Sequence, residues 1–274
     1  MEAINEAFKE MERIEKVFSK FDEKSEISKI NSLAGIKEIN ISPEVMKVIE
    51  DSLYYSRISE GSFDITVASL MKIWGFGYKN NTIPDRSMIQ EALKHVGREN
   101  ILIDAEKPSI RFLDKDTKID LGGIAKGYAV DRAKEVLISK GINNAIINLG
   151  GNIFGLGMPP GKKGWRIGIQ GPRHKNKIIW IVNLRNRAVS TSGDYERFFI
   201  VNGKRYSHII SPVTGEPVQG VMSVTVVADS TEASDALSTA IFVMGEKKAI
   251  ELIKSIKGIE VLIVKEDGSQ IKYP

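Results

Sequence analysis

Three oxygen-bearing side chains in SDALSTA, residues 234–240, could hold a hard metal ion. Asp235 and Thr239 are four residues apart, so on a helix their oxygens leave one face, and Ser238, three residues from Asp235, can join them. A carboxylate with hydroxyls, leaving room for water and a substrate phosphate, suits Mg²⁺. The same residue types also crowd helix starts as caps, so the pattern alone leaves both roles open. A second stretch, IDLGGIAKGYAVDRA at 119–133, has the layout of an anion site. An apolar run carrying Asp120 reaches Gly122 and Gly123, and Lys126 follows at the start of a helical pattern. Backbone N–H groups at such a helix start point at negative charge. The stretch is neither a G-x-x-x-x-G-K-[ST] loop nor a G-x-G-x-x-G fingerprint. A plain strand-to-helix turn with a solvated Lys126 is the other reading.

A general base is offered by His208, where an alternating apolar run meets SPVTG. A two-residue loop at Asn202-Gly203 pairs Val201 with Lys204 and sets Arg197 opposite His208. A cation there favours the neutral imidazole that a base needs; an incidental edge-strand histidine would occupy the same place. The other histidines, His95 in a helical pattern and His174 in a basic turn, read as surface residues. Asp64, in the apolar run GSFDITV, must be paired, capping or functional. Downstream, Trp74, Phe76 and Tyr78 could line a planar ligand or pack as core.

The elements that position these residues follow from periodicity. Ile4, Ala7, Phe8, Met11, Ile14, Val17, Phe18 and Phe21 form a helical stripe over 2–21. Ser42-Pro43 starts a helix that stops near Gly61, and 86–96 reads as a third. SIRFLD and TKIDLG read as strands, 126–140 as a helix ending at Gly141, and NAIINLGG as a strand. Then come WRIGIQ, IIWIVNL, AVSTS, the RFFIVNGKRYSHII hairpin, MSVTVVA, helices near 231–243 and 246–256, and a hairpin at Asp267-Gly268. Hairpins outnumber βαβ units, which predicts an α+β fold with a largely antiparallel sheet, flanking helices and a helical N-terminal portion. No linker or repeat interrupts the chain, so one continuous domain is expected.

Composition bounds the chemistry. The chain has 274 residues, and 39 basic against 35 acidic residues give a formal charge of +4. No charge block or basic-aromatic stripe points to nucleic acid, while the excess suits a polyanionic small ligand. The absence of cysteine excludes disulfides, thiolate metal sites and cysteine nucleophiles. No apolar run has transmembrane length, and the N-terminus has no signal-peptide core.

Taken together, the motifs carry a resemblance. SEISKIN (25–31), GSFDIT…WGFG (61–77), DLGGIAKGYAVD (120–131), LGGN (149–152), STSGDYER (190–197), SHIISPVTGEP (207–217) and ASDALSTA (233–240) occur in that order. This closely resembles the ApbE family, the FAD:protein FMN transferases, from about residue 4 to 265. The resemblance implies an ApbE-type single domain over 1–274 and a Mg²⁺-dependent reaction. FAD is bound, a threonine hydroxyl of a target flavoprotein attacks the FMN-side phosphorus, and AMP leaves. Hydrolysis of FAD to FMN and AMP, or FAD binding without turnover, are the alternatives. By position, the resemblance makes Asp235, Thr239, the Gly123 carbonyl and Ser238 the metal ligands. It makes Phe21, Ser62, Phe63, Asp64, Asp120, Lys126 and Ile210 contacts of FAD, and His208 the candidate base. Two departures stand out. Ser211 occupies a position where the family usually has Asp or Asn, and a shorter hydroxyl there is expected to support His208 or the substrate loop less. The family's upstream strand, with its Met-Gly-Thr motif, does not occur in this sequence. Family members act outside the cytoplasmic membrane. An extracytoplasmic, anchored protein is therefore expected if an N-terminal segment was trimmed, and a cytoplasmic one otherwise.

Overall fold

A computed structural model describes residues 1–77, 82–174 and 176–274. In chain order the first elements are α1 (Glu2–Phe18), α2 (Glu26–Leu33), β1 (Ile39–Asn40), α3 (Pro43–Ile58), α4 (Ala68–Ile73), α5 (Arg86–Leu93), β2 (Ile101–Asp104) and β3 (Ser109–Phe112). Next are α6 (Ala125–Ser139), β4 (Ala145–Leu149), β5 (Asn152–Leu156), β6 (Trp165–Gln170), β7 (Ile178–Leu184), β8 (Arg187–Gly193), β9 (Phe198–Val201) and β10 (Lys204–Ser207). The last are β11 (Val221–Ala228), α7 (Thr231–Met244), α8 (Glu246–Ser255), β12 (Glu260–Lys265) and β13 (Gln270–Tyr273). The chain folds into two compact units: Met1–Glu15, Ile124–Tyr195 and Gln219–Pro274 form the first, Lys16–Gly123 and Glu196–Val218 the second.

The first unit is built on a six-stranded sheet of order β13-β12-β11-β8-β5-β4, antiparallel at every pairing. Strand alternation divides its side chains between two layers. Phe154 and Ala188 join Val130, Ala133 and Leu137 of α6, while the neighbouring Val189 joins Ile169, Val182 and Leu184 of the β6–β7 ribbon. The α6–α7 contact rests on Gly127, whose absent side chain lets the helices close up. A Cβ built there would stand 2.4 Å from the Thr231 carbonyl oxygen and 2.7 Å from the Glu232 Cα.

The second unit holds the three-stranded sheet β1-β3-β2, the β9–β10 hairpin and α2 to α5. The hairpin register is the expected one, Val201 against Lys204, around a turn with Asn202 and Gly203 both at positive φ. Ser42 caps α3 by accepting from the Val45 N–H, with Pro43 at the first helical position. These observations bear out the α+β, largely antiparallel reading.

Two local expectations need correction. The N-terminal helix stops at Phe18, and its stripe is narrower than expected. Ala7, Ile14 and Phe18 are buried, but Ile4, Phe8 and Phe21 are exposed. TKIDLG forms no ladder: Lys118 makes one isolated bridge to Val67, and side chains bind the extended backbone instead. The Asn31 amide accepts from the Ile119 N–H at 2.8 Å and donates to the Ile119 carbonyl at 2.9 Å. NAIINLGG is a strand as expected, β4, and its glycine pair, both at positive φ, turns the chain into β5.

Gly127→Ala is expected to cost about 1–3 kcal/mol of stability, as overpacking of a closed helix contact does. Denaturant unfolding checks it; a wild-type midpoint would contradict the close approach.

Candidate functional site

In the first unit, the site residues collect where α6 meets α7. The Gly127 N–H donates to Asp235 Oδ2 at 2.9 Å, and Lys126 Nζ lies 3.4 Å from Oδ1. Burial pushes the Asp235 carboxyl pKa up, opposed by the Lys126 cation and the Gly127 N–H. Asp235 does not cap its own helix; the N–H it accepts, that of Gly127, is one of the N-terminal donors of α6. The first N–H groups of α7 are taken elsewhere: Ser230 Oγ accepts from Ala233, and Asp131 accepts from Thr231 at 3.1 Å and Glu232 at 2.9 Å. Asp235 is thus a buried carboxylate on the second turn of a helix already capped. Ser238 is fully buried, donating to the Asp235 carbonyl at 2.9 Å and bonded to Ser192 Oγ at 2.8 Å. Ser192 Oγ also lies 3.1 Å from Thr239 Oγ1, and Thr239 is half-buried. A buried carboxylate and a half-buried hydroxyl one turn on, both pinned by neighbours, form a hard-oxygen donor set that fits Mg²⁺. Gly123, whose carbonyl the resemblance adds, closes a segment of the second unit.

Sequence reasoning missed Asp131, Ser192 and Ser190, the last bonded to Ser234 at 2.7 Å. All three lie inside the quoted motifs, and strand alternation in STSG was the available signal for the two serines. It also missed Arg173, which donates to both oxygens of buried Asp194 at 2.7 and 2.5 Å.

In the second unit, Asp120 is gripped from two sides. Its Oδ1 accepts the Gly122 N–H at 2.9 Å, and its Oδ2 accepts from Lys20 Nζ at 2.6 Å. Lys20 is a further residue the sequence did not disclose, because its partner is 100 positions away. Its ammonium also stands 5.1 Å from the centre of the Phe21 ring. Phe21 is exposed, with its ring edge close enough to Gly77 that a Cβ there would meet Cζ at 2.6 Å. Ser62 and Phe63 are buried beyond α3, and the Phe63 N–H donates to Ser59 Oγ. Asp64 proves to be paired: its Oδ1 accepts from the Thr66 N–H at 2.8 Å and the Thr66 hydroxyl at 2.6 Å. Burial pushes its pKa up, against the hydrogen bonds from Thr66.

His208 lies opposite Arg197 as the register requires, its N–H donating to the Arg197 carbonyl at 2.9 Å. The imidazole Nδ1 is 3.2 Å from that same carbonyl. A carbonyl only accepts, so Nδ1 carries the proton in this bond and Nε2 the basic lone pair. The carbonyl thus selects the tautomer, a separate effect from the neutral ring that the sequence expected the Arg197 cation to favour. Ser211 opens the turn after Ile210, its Oγ accepting from the Val213 and Thr214 N–H groups at 3.3 Å each. It makes the turn that an Asx side chain would, at longer range. The loop is tied to core by Trp74 Nε1, which donates to the Gly215 carbonyl at 2.8 Å. Trp74 and Phe76 are buried with Phe199 and Tyr206, so they are core; Tyr78 lies outside the described residues. A cavity of about 450 Å³ beside them is lined by Trp74, one of the planar-ligand candidates, and by Arg86, Lys204, Tyr206 and Glu216. His95, expected at the surface, is half-buried, with its Nδ1 in hydrogen-bond contact with the Asp114 carboxylate.

Comparison with known proteins fixes the family. Residues 1–263 match the ApbE family, and the chain belongs to it. It is 31% identical over 280 residues to the FAD:protein FMN transferase of Treponema pallidum, covering 97% of this chain and 77% of that protein. It is 32% identical over 258 residues to the Haemophilus influenzae protein of the same name, covering 91% and 75%. The crystal structure of the ApbE protein from Thermotoga maritima superposes with a TM-score of 0.93 at 39% identity, over 98% of this chain and 88% of that one. The flavin transferase ApbE from Vibrio cholerae gives 0.88 at 29% identity, over 99% and 87%.

The raised pKa of Asp64 has a defined sign. The folded state binds this proton more tightly than the unfolded chain, so its contribution is present at acid pH and lost as pH rises through the folded value. Asp64→Asn removes the charge, so its melting temperature relative to wild type should climb as pH rises above the ordinary carboxylate value of 3.8. A pH-independent difference would refute the assignment.

Proposed function

We propose that this chain moves the FMN moiety of FAD onto a threonine hydroxyl of a target flavoprotein and releases AMP. The observation that carries the reading is Asp235, a buried carboxylate held against the first turn of α6 beside the Lys126 cation, in a chain whose relatives are named FAD:protein FMN transferase. In this reaction the threonine oxygen forms a bond to the FMN-side phosphorus, the diphosphate bridge breaks, and AMP takes the bridging electron pair. There is little covalent work for the protein beyond positioning and charge neutralisation. Asp235 and Thr239, with Ser238 and the Gly123 carbonyl, would hold Mg²⁺. Bound there, Mg²⁺ supplies neutralisation of the diphosphate charge. Lys126, half-exposed beside Asp235, adds a cation for the same phosphates. His208 takes the threonine proton on Nε2, held in that tautomer by the Arg197 carbonyl. Phe21, Ser62, Phe63, Asp64, Asp120 and the Ile210 main chain contact FAD.

Incubation with FAD and Mg²⁺, with and without a target domain, tests the reading. Flavin bound covalently to the target supports transfer; AMP release that never labels the target would reduce the activity to hydrolysis, and neither would leave binding alone. Asp235→Asn should abolish AMP release, and full activity in that variant would sink the metal assignment. His208→Ala should lose transfer by at least about 100-fold, the usual contribution of a positioned base, while flavin fluorescence still reports FAD binding.

A further inference from the structure

Lys20 has no role in the activity so far, yet it makes one of the best-enclosed ion pairs of the second unit. Its Nζ lies 2.6 Å from Asp120 Oδ2, with the two side chains only 13% and 15% exposed. Asp120 uses its other oxygen to hold the Gly122 N–H and donates its own N–H to the Ile65 carbonyl at 2.7 Å. Lys20 is therefore tied to the turn that opens the glycine pair. On its other side it is covalently joined to Phe21 and stands over that ring. The segment is otherwise held by Ser19, whose Oγ accepts from the Phe21 and Asp22 N–H groups at 3.2 Å, and whose carbonyl accepts from Ser25 Oγ at 2.5 Å.

We infer that Lys20 is a positioning residue for FAD, acting through Asp120 and Phe21. This rests on the flavin-transfer reading, which puts Asp120 and Phe21 against the substrate. The physical argument is one of charge. FAD is polyanionic, so a bare carboxylate among its contacts repels it, and Lys20 neutralises the Asp120 carboxylate while fixing its direction. Removing one partner of an enclosed pair leaves the other charge uncompensated, which costs more than the pair contributes. Loss of Lys20 therefore harms substrate binding through Asp120, and removing the Asp120 charge as well should relieve the harm.

The test compares wild type, Lys20→Met, Lys20→Arg, Asp120→Asn and the Lys20→Met/Asp120→Asn double variant, by FAD fluorescence titration and by AMP release. Lys20→Met should raise both the FAD Kd and KM about tenfold or more, equivalent to about 1.4 kcal/mol, with kcat changing far less. Lys20→Arg should recover most of the loss, and the double variant should bind FAD better than Lys20→Met. Circular dichroism and melting temperature establish that each variant is folded; should Lys20→Met fail to fold, Lys20→Gln and the double variant carry the same comparison. Unchanged KM in folded Lys20→Met, or losses that simply add in the double variant, would overturn the inference while wild-type turnover keeps the transfer reading intact. Wild type that neither binds FAD nor releases AMP would overturn both.

Discussion

The approach of α6 to α7 at Gly127 is the constraint on which the first unit's chemistry depends. A methyl group at that position would enter the main chain of Thr231 and Glu232, so the gap exists only because glycine stands there. Once the helices are that close, the Gly127 N–H reaches Asp235 and the Asp131 carboxylate reaches two N–H groups at the start of α7. A helix N-terminus is a partial positive charge, and Asp131 answers it from another helix. This leaves Asp235 free of its own helix's start, a buried acid that answers the first turn of α6 and the Lys126 cation instead. Beneath α7, the central strand β11 is buried along nearly its whole length and gives the helix a rigid floor.

The second unit is organised differently. Its active segments are extended or looped, and side chains take the place of strand partners. Asn31 makes both backbone bonds of Ile119, Asp64 and Thr66 close a turn and receive the Gly97 N–H, and Ser211 gathers the N–H groups of its own loop. Buried backbone groups must find partners, and here short polar side chains supply them where ladders do not. Irregular backbone of this kind can approach a ligand more closely than a helix or strand, at the expense of needing each of those side chains.

Much of this was legible in the sequence, for physical reasons that differ from part to part. The Asn202-Gly203 hairpin and the placement of His208 were readable because a two-residue loop fixes register, and register fixes every partner along both strands. The helix face joining Asp235, Ser238 and Thr239 was readable from spacing. What spacing could not settle was whether Asp235 capped its own helix, since the competing caps, Ser230 and above all Asp131, come partly from 100 residues away. Lys20 was invisible for the same reason. TKIDLG reads as a strand because its alternation is real; the single-bridge outcome depends on Asn31, whose reach no local pattern encodes. The narrowed stripe of α1 shows the converse, with Ile4 and Phe8 apolar by type and uncovered in the fold.

The serines of β8 add a property of another kind. Ser234 and Ser238 each have one hydroxyl proton and give it to the Thr231 and Asp235 carbonyls, so Ser190 and Ser192 donate to them, and Thr239 donates to Ser192. The hydroxyl dipoles therefore run in one direction, and reversing them would break two carbonyl bonds. The wall beside Asp235 is ordered in polarity as well as in packing, a directed local field that aliphatic side chains of the same density would not provide.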